Sequence, residues 1–244
     1  MTTQNTQLNP QKIHTTPLGV ERIRRNLGLQ DCAVVDWCKG IVANADLVQQ
    51  KGKNWYVYGS GAVITINIKS NTIITAHKIK ARVRTIQEQD YYCLEEFLYQ
   101  AIYIPEGEEL PPRSIVTKDP EIYIYIKDFG TKAGDIGVVA ECSYSRQIIG
   151  AAWARIIPAY GNLDNETPEL ATALLPQFRR HVIGSAMLKK LFVLLKEKGF
   201  TKTSLSVQKN NPAVEFYKRL GYKIVGERLD HAGHEDYLMV KELG

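Results

Sequence analysis

Three cationic residues in a row, Arg179-Arg180-His181, stand between an apolar strand pattern ending at Leu175 and an apolar helix pattern beginning near Val182. A strand that feeds a cationic turn and then a helix start makes an anion trap. The first backbone amides of a helix have no intrahelical acceptor, the helix dipole is positive there, and arginine or histidine side chains add donors. Phosphate esters are the ligands such a turn suits. About thirty residues downstream, Asn210-Asn211-Pro212 opens a second helical pattern that carries Phe216 and Tyr217 and stops at Gly221. Tyr217 is either a packed helix aromatic or a proton donor to a leaving group, since a phenol with a pKa of about 10 holds its proton at neutral pH. Two carboxylates are placed to take a proton from a nucleophile: Glu169, at the start of the strand before the cationic turn, and Glu141, on the preceding hairpin. Either can equally be a salt-bridged surface group. Asp164, Glu166 and Glu169 gather near Tyr160, an arrangement that favours a cationic substrate or is simply a solvated loop. His231-x-x-His234 has metal-ligand types, but it lies between two strand patterns where a polar hairpin needs no metal, so no metal site is assigned.

Hydrophobic periods mark the elements that must hold these groups. Strand patterns at 136–142 and 147–158 flank a turn at 143–146, which predicts a hairpin. Residues 159–168 are polar and loop-like, and 169–175 return to a strand. The helix from near Val182 puts Ile183, Met187, Leu191, Leu194 and Leu195 on one face and closes at Gly199. Thr203, Leu205 and Val207 then alternate with Ser204 and Ser206 as a strand, and 223–227 and 236–241 supply the closing strands. Upstream, 80–86 reads as a strand. Asp90 is expected to cap a helix that aligns Leu94, Phe97, Leu98, Ala101 and Ile102. The stretch with Ile122, Tyr123 and Ile124 has no clear period.

The chain has 244 residues, 44% hydrophobic and 23% charged, values of a folded protein with a sizeable core and not of a disordered one. No apolar run approaches the roughly 18 residues of a membrane helix. The opening MTTQNTQLNPQK lacks the charged-then-apolar pattern of a secretory signal, which predicts a cytoplasmic protein. Cys32, Cys38, Cys93 and Cys142 show no zinc or redox spacing and read as reduced structural thiols.

The net charge of +5 is uneven: +6 over residues 1–80 and −1 over 81–244. That asymmetry predicts two domains with different surfaces. The first reads as a small basic α+β domain. A polar tail over 1–16 leads to a helix from Pro17 to Gly28, a second helix capped by Asp31, and a three-stranded meander at 55–58, 62–68 and 72–77. Its basic surface offers a nucleic-acid face, with Trp55 or Tyr58 able to stack bases and His77, Lys78 and Lys80 able to face phosphate; the plainer alternative is an accessory domain. This part also resembles a small bacterial domain of unknown function.

The segment ELATALLPQFRRHVIGSAMLKKLFVLLKEKG resembles the coenzyme-binding motif of the GNAT family of N-acetyltransferases, Arg/Gln-x-x-Gly-x-Gly/Ala after a strand. Arg179 takes the first position, Val182 the first glycine position and Gly184 the last. NPAVEFYKRLGY is similar to the family's second signature, N-x-x-A-x-x-F-Y-x-x-x-G-F/Y. The resemblance covers roughly residues 81–244 and implies an α/β fold: a GNAT-like mixed, splayed central sheet flanked by helices, preceded by the small α+β domain. It implies acetyl-CoA as co-substrate and acetyl transfer to a primary amine, on a small molecule or peptide, by direct attack in a ternary complex. Ala173, Leu174 and Leu175 would bond the pantetheine arm. Arg179, Arg180, His181, Val182, Ile183, Gly184 and Ser185 would bind the pyrophosphate, and Asn210 or Asn211 would contact the coenzyme. Tyr217 would protonate the thiolate, and Glu169 would act as base. Family members often dimerise, which makes a homodimer a possible partner. Val182 departs from the glycine of the motif, and a β-branched residue there restricts φ and adds bulk beside the phosphate site. An acyl-CoA-binding regulator with little turnover is the alternative that this departure suggests.

Overall fold

Pro17 at the first helical position, Thr16 accepting the Gly19 amide at 3.1 Å, and Gly28 in the left-handed region at φ +69° delimit α1 (Pro17–Leu27). The computed structural model describes residues 8–29, 33–105, 107–143, 146–179, 182–229 and 233–244. They divide into two compact units, one of residues up to Lys80 together with 176–181, the other of 81–175 with 182–244.

The first unit adds α2 (Val34–Ala43) and an antiparallel sheet of β1 (Leu47–Lys51), β2 (Asn54–Gly59), β3 (Ala62–Asn67) and β4 (Ile73–Lys78), in that order. Ile23, Cys38, Val57, Ile64 and Ala76 are wholly buried between helices and sheet. Four strands replace the expected three. Leu47–Lys51 carries only two apolar residues and pairs on one side alone, so it lacks the alternation of an inner strand. Nor is the described part of the tail loose: Ile13 is buried and His14 bridges to Thr72, tertiary contacts that local polarity does not reveal. Trp55 and Tyr58 are each 2% exposed, which removes the base-stacking face expected of them. His77 bonds Thr75 Oγ1 at 3.0 Å, and burial, then Lys80 and Arg22, hold its pKa below the usual histidine value. Asp31 lies outside the described residues; Ala33 precedes α2.

The second unit runs β5 (Ala81–Thr85), α3 (Cys93–Ala101), the short α4 (Ile115–Lys118) and α5 (Pro120–Tyr123), β6 (Ile136–Cys142), β7 (Ile148–Arg155) and β8 (Glu169–Leu174). Then come α6 (Ile183–Glu197), β9 (Lys202–Gln208), α7 (Ala213–Arg219), β10 (Lys223–Leu229) and β11 (Glu235–Glu242). The seven strands form one mixed α/β sheet in the order β10-β11-β9-β8-β7-β6-β5, antiparallel except between β8 and β9. A parallel neighbour needs a crossover, and α6 is that crossover. Strand alternation sorts the two faces. Val139, Ala151, Trp153 and Ala173 pack with Leu94, Phe97 and Leu98 of α3, whereas Gly150 and Leu174 face Met187 and Gly184 of α6. Helices therefore cover both faces.

Asp90 does not cap α3. It sits in a preceding 3₁₀ turn, where it accepts the Gln87 amide at 2.9 Å and pairs with Arg84 at 2.5 Å, an ion pair that spacing along the chain could not disclose. Cys38, Cys93 and Cys142 are buried, and burial pushes the Cys93 thiol up to about 12. No described helix is long and apolar enough to cross a membrane.

Candidate active site

Strands β8 and β9 share one register pair, Glu169 with Ser204, and then part. Beyond it the β9-facing edge of β8 has no strand partner, and its peptide groups need hydrogen bonds from elsewhere. Against the strands lies a cavity of ≈ 230 Å³, lined by residues of α3, α5, β8, β9, α7 and β11. The loop before β8 shapes it. A Cβ on Gly161 would come within 2.7 Å of backbone atoms of Leu205 and Ser206, so only glycine fits where this loop meets β9.

Glu169 lines the cavity and is 2% exposed. Its Oε1 accepts the Gly161 amide at 2.7 Å and the hydroxyl of Tyr125, while Oε2 has no hydrogen-bond partner among the described residues. Burial raises its pKa to about 7, opposed by the Tyr125 and Gly161 hydrogen bonds and by the charge of Arg228. A carboxylate titrating there is poised to exchange protons at neutral pH. Tyr217 of α7 lines the same cavity, and burial pushes its pKa up to about 12, which keeps the phenol protonated. Its ring packs edge-on to Tyr222 at 5.7 Å. Tyr125 is itself held firmly. Trp153 Nε1 donates to its carbonyl at 2.9 Å, and the buried Arg155, paired with Asp135 at 2.8 Å, donates to the carbonyls of Ile124 and Lys127. Asp236 of β11 is a second buried carboxylate in the lining and accepts Ser206 Oγ at 2.5 Å.

Residues 99–222 match the family model described as the acetyltransferase (GNAT) family. The chain belongs to that family. Residues 7–77 match a second model, described as a protein of unknown function (DUF3781). Among curated proteins, the uncharacterized protein YyaT of Bacillus subtilis (strain 168) is 29% identical over 100 residues, which are 41% of this chain and 62% of that protein. The match thus spans less than two thirds of the relative's own length. Similar solved folds include the GNAT-family acetyltransferase from Streptococcus pneumoniae, at TM-score 0.51 and 20% identity, covering 68% of this chain and 100% of that one. The N-acetyltransferase from Staphylococcus aureus Mu50 has TM-score 0.51 at 16% identity over 68% and 99% of the two chains. The putative acetyltransferase yncA from Salmonella typhimurium, solved with its cofactor acetyl-CoA, has TM-score 0.50 at 14% identity over 68% and 95%.

Within this GNAT fold, Glu169, Tyr217 and Asn211 come together on one cavity. The Asn211 side chain accepts the Ala213 amide at 2.8 Å, whereas Asn210 is exposed and its carbonyl accepts Tyr103 Oη at 3.1 Å. Ala173 and Leu174 end β8, buried, and Leu175 follows, half-buried. Arg179 is exposed in the turn; Arg180 and His181 lie outside the described residues. Val182 is 82% exposed with φ −66°, Ile183 is buried, and Gly184 and Ser185 are half-buried in the first turn of α6.

Other sequence candidates stand apart. Glu141 pairs with Arg84 at 3.3 Å and Arg146 at 3.0 Å and does not line the cavity. Asp164 pairs with Lys202 at 2.8 Å and accepts the Glu166 and Thr167 amides, a turn-holding role. His231 is outside the described residues, and among those described no cluster of His, Cys, Asp or Glu could hold a metal ion. Sequence reasoning missed Tyr125 and Asp236. Tyr125 sits in a stretch without a period. Asp236 was signalled by its place in phase with Leu238 and Val240, the buried positions of β11.

Proposed function

We propose that the chain is an acetyl-CoA-dependent N-acetyltransferase that moves an acetyl group to a primary amine by direct attack in a ternary complex. One observation carries the reading: β8 and β9 part after a single register pair, beside a cavity that holds both a buried carboxylate with its pKa raised to about 7 and a half-buried, protonated phenol. The unpartnered edge of β8 at Ala173–Leu175 suits the amide-bearing pantetheine arm. The helix start at Val182–Ser185 suits the pyrophosphate, and Asn211 is the asparagine next to the cavity.

Glu169 takes a proton from the amine as nitrogen attacks the thioester carbonyl carbon. Tyr217 gives its proton to sulfur as the C–S bond breaks. The products are an amide and a thiol, and solvent returns the proton from Glu169 to Tyr217. Membership of the acetyltransferase family and the acetyl-CoA of the Salmonella typhimurium relative support the choice of donor.

Calorimetric titration with acetyl-CoA tests the reading, and micromolar binding is expected. Tyr217→Phe is expected to lower kcat by ~10²-fold while leaving the coenzyme Kd within about twofold. Absence of binding at millimolar coenzyme overturns the proposal, and binding without turnover of any amine points to the acyl-CoA-binding regulator instead.

A further inference from the structure

The cavity beside Glu169 is small and carries acidic groups in its lining. At ≈ 230 Å³ it is smaller than the about 300–1,000 Å³ of sites for drug-sized ligands. Leu98, Ile102, Ile122 and Ala171 give it apolar walls, and Glu169 and Asp236 give it two buried carboxylates. Among the described residues, no lysine, arginine or histidine lines it. Arg228, whose charge reaches Glu169, donates to the carbonyls of Tyr160 and Asn162 at 3.2 and 2.7 Å. Glu169 Oε2, buried and without a hydrogen-bond partner among the described residues, supplies an acceptor for a donor from outside the chain.

We propose that the acceptor is a small primary amine with an apolar or aromatic body and no carboxylate. The proposal rests on the transferase reading above. An amine arriving as ammonium meets opposite charge; it gives one proton to solvent, which frees the nitrogen lone pair, and the second goes to Glu169 during attack. An amino acid brings its own carboxylate beside Asp236 and the ionised form of Glu169, with no cation among the described lining residues to pair it, and like charges in a desolvated site repel. A polar body gains little from the Leu98, Ile102 and Ile122 wall, whereas an aromatic one removes that wall from water.

Four amines provide the test: 2-phenylethylamine, phenylalaninamide and phenylalanine, which share an aromatic body, and ethanolamine, which is small and polar. Each is assayed for thiol release at saturating acetyl-CoA and titrated calorimetrically with and without CoA. The first two are expected to bind and to be acetylated, with kcat/KM for phenylalanine at least ~100-fold below that for phenylalaninamide. Ethanolamine is expected at least ~10-fold below 2-phenylethylamine. Phenylalanine within about threefold of its amide, ethanolamine equal to 2-phenylethylamine, or no binding of the two aromatic amines by a protein that binds acetyl-CoA would each overturn the proposal. Failure of acetyl-CoA itself to bind would sink the transferase reading instead, and the calorimetric order of the amines would still decide the charge preference of the cavity.

Discussion

Glu169 concentrates the chemistry of the site because burial and its polar neighbours act on it in opposite senses. Burial lifts its pKa to about 7, while the Tyr125 hydroxyl and the Gly161 amide stabilise the carboxylate and limit that rise. If the ionised form is the base, kcat/KM climbs with pH through about 7, a limb separate from the one that the ionisation of the amine substrate gives at higher pH. Glu169→Gln is expected to abolish this limb and to lower kcat/KM by about 10²–10⁴-fold, as a pH–rate profile would reveal. Tyr125→Phe removes a donor to the carboxylate, so the limb is expected to move to higher pH while the chain stays folded by circular dichroism. A limb that stays in place would mean that the Tyr125 hydrogen bond does not act on the titrating group. Glu141 has no such position: with two arginines on it, it is a structural ion-pair member.

At the scale of elements, α6 and the strands it joins do the positioning. A parallel β8–α6–β9 crossover brings β9 beside β8 without forcing a continuous ladder, and Gly161 admits the preceding loop against β9 near where they part. The Arg155–Asp135 pair ties β7 to the segment that carries Tyr125, replacing carbonyl hydration with five guanidinium contacts that include both Asp135 oxygens. Val182, at the head of α6, has ordinary helical dihedrals and a side chain directed to solvent, so its backbone does not require glycine. Val182→Gly is therefore expected to change acetyl-CoA affinity by less than ~threefold, measured by calorimetry. A gain of tenfold or more would show that valine obstructs the phosphate site.

For the whole molecule, the raised pKa of Glu169 links folding to pH. The folded chain holds this proton more tightly than the unfolded chain, so this group's contribution to stability is fully present below the ordinary value of 4.5 and is lost as pH rises to about 7. The loss is on the order of 3 kcal/mol, and Glu169→Gln, which cannot ionise, is expected to escape it; denaturant unfolding of both proteins at pH 5 and 8 measures the difference. The same distinction between local and distant causes separates what was legible in the sequence from what was not. The helix ends at Gly28 and Gly199, the strand ending at Leu174 and the helix from Ile183 could be read directly, because caps and hydrophobic periods act over a few neighbouring residues. The edge strand β1 and the anchored tail at Ile13 could not, since partners elsewhere in the fold hold them. Sequence alone determined that carboxylates and a tyrosine accompany a phosphate-type turn. Only the tertiary structure decided that Glu169 shares a cavity with Tyr217 and Asp236 while Glu141 does not. Proton affinity depends on burial and on partners such as Tyr125, 44 positions away along the chain, and that distance closes only when the strands and loops assemble.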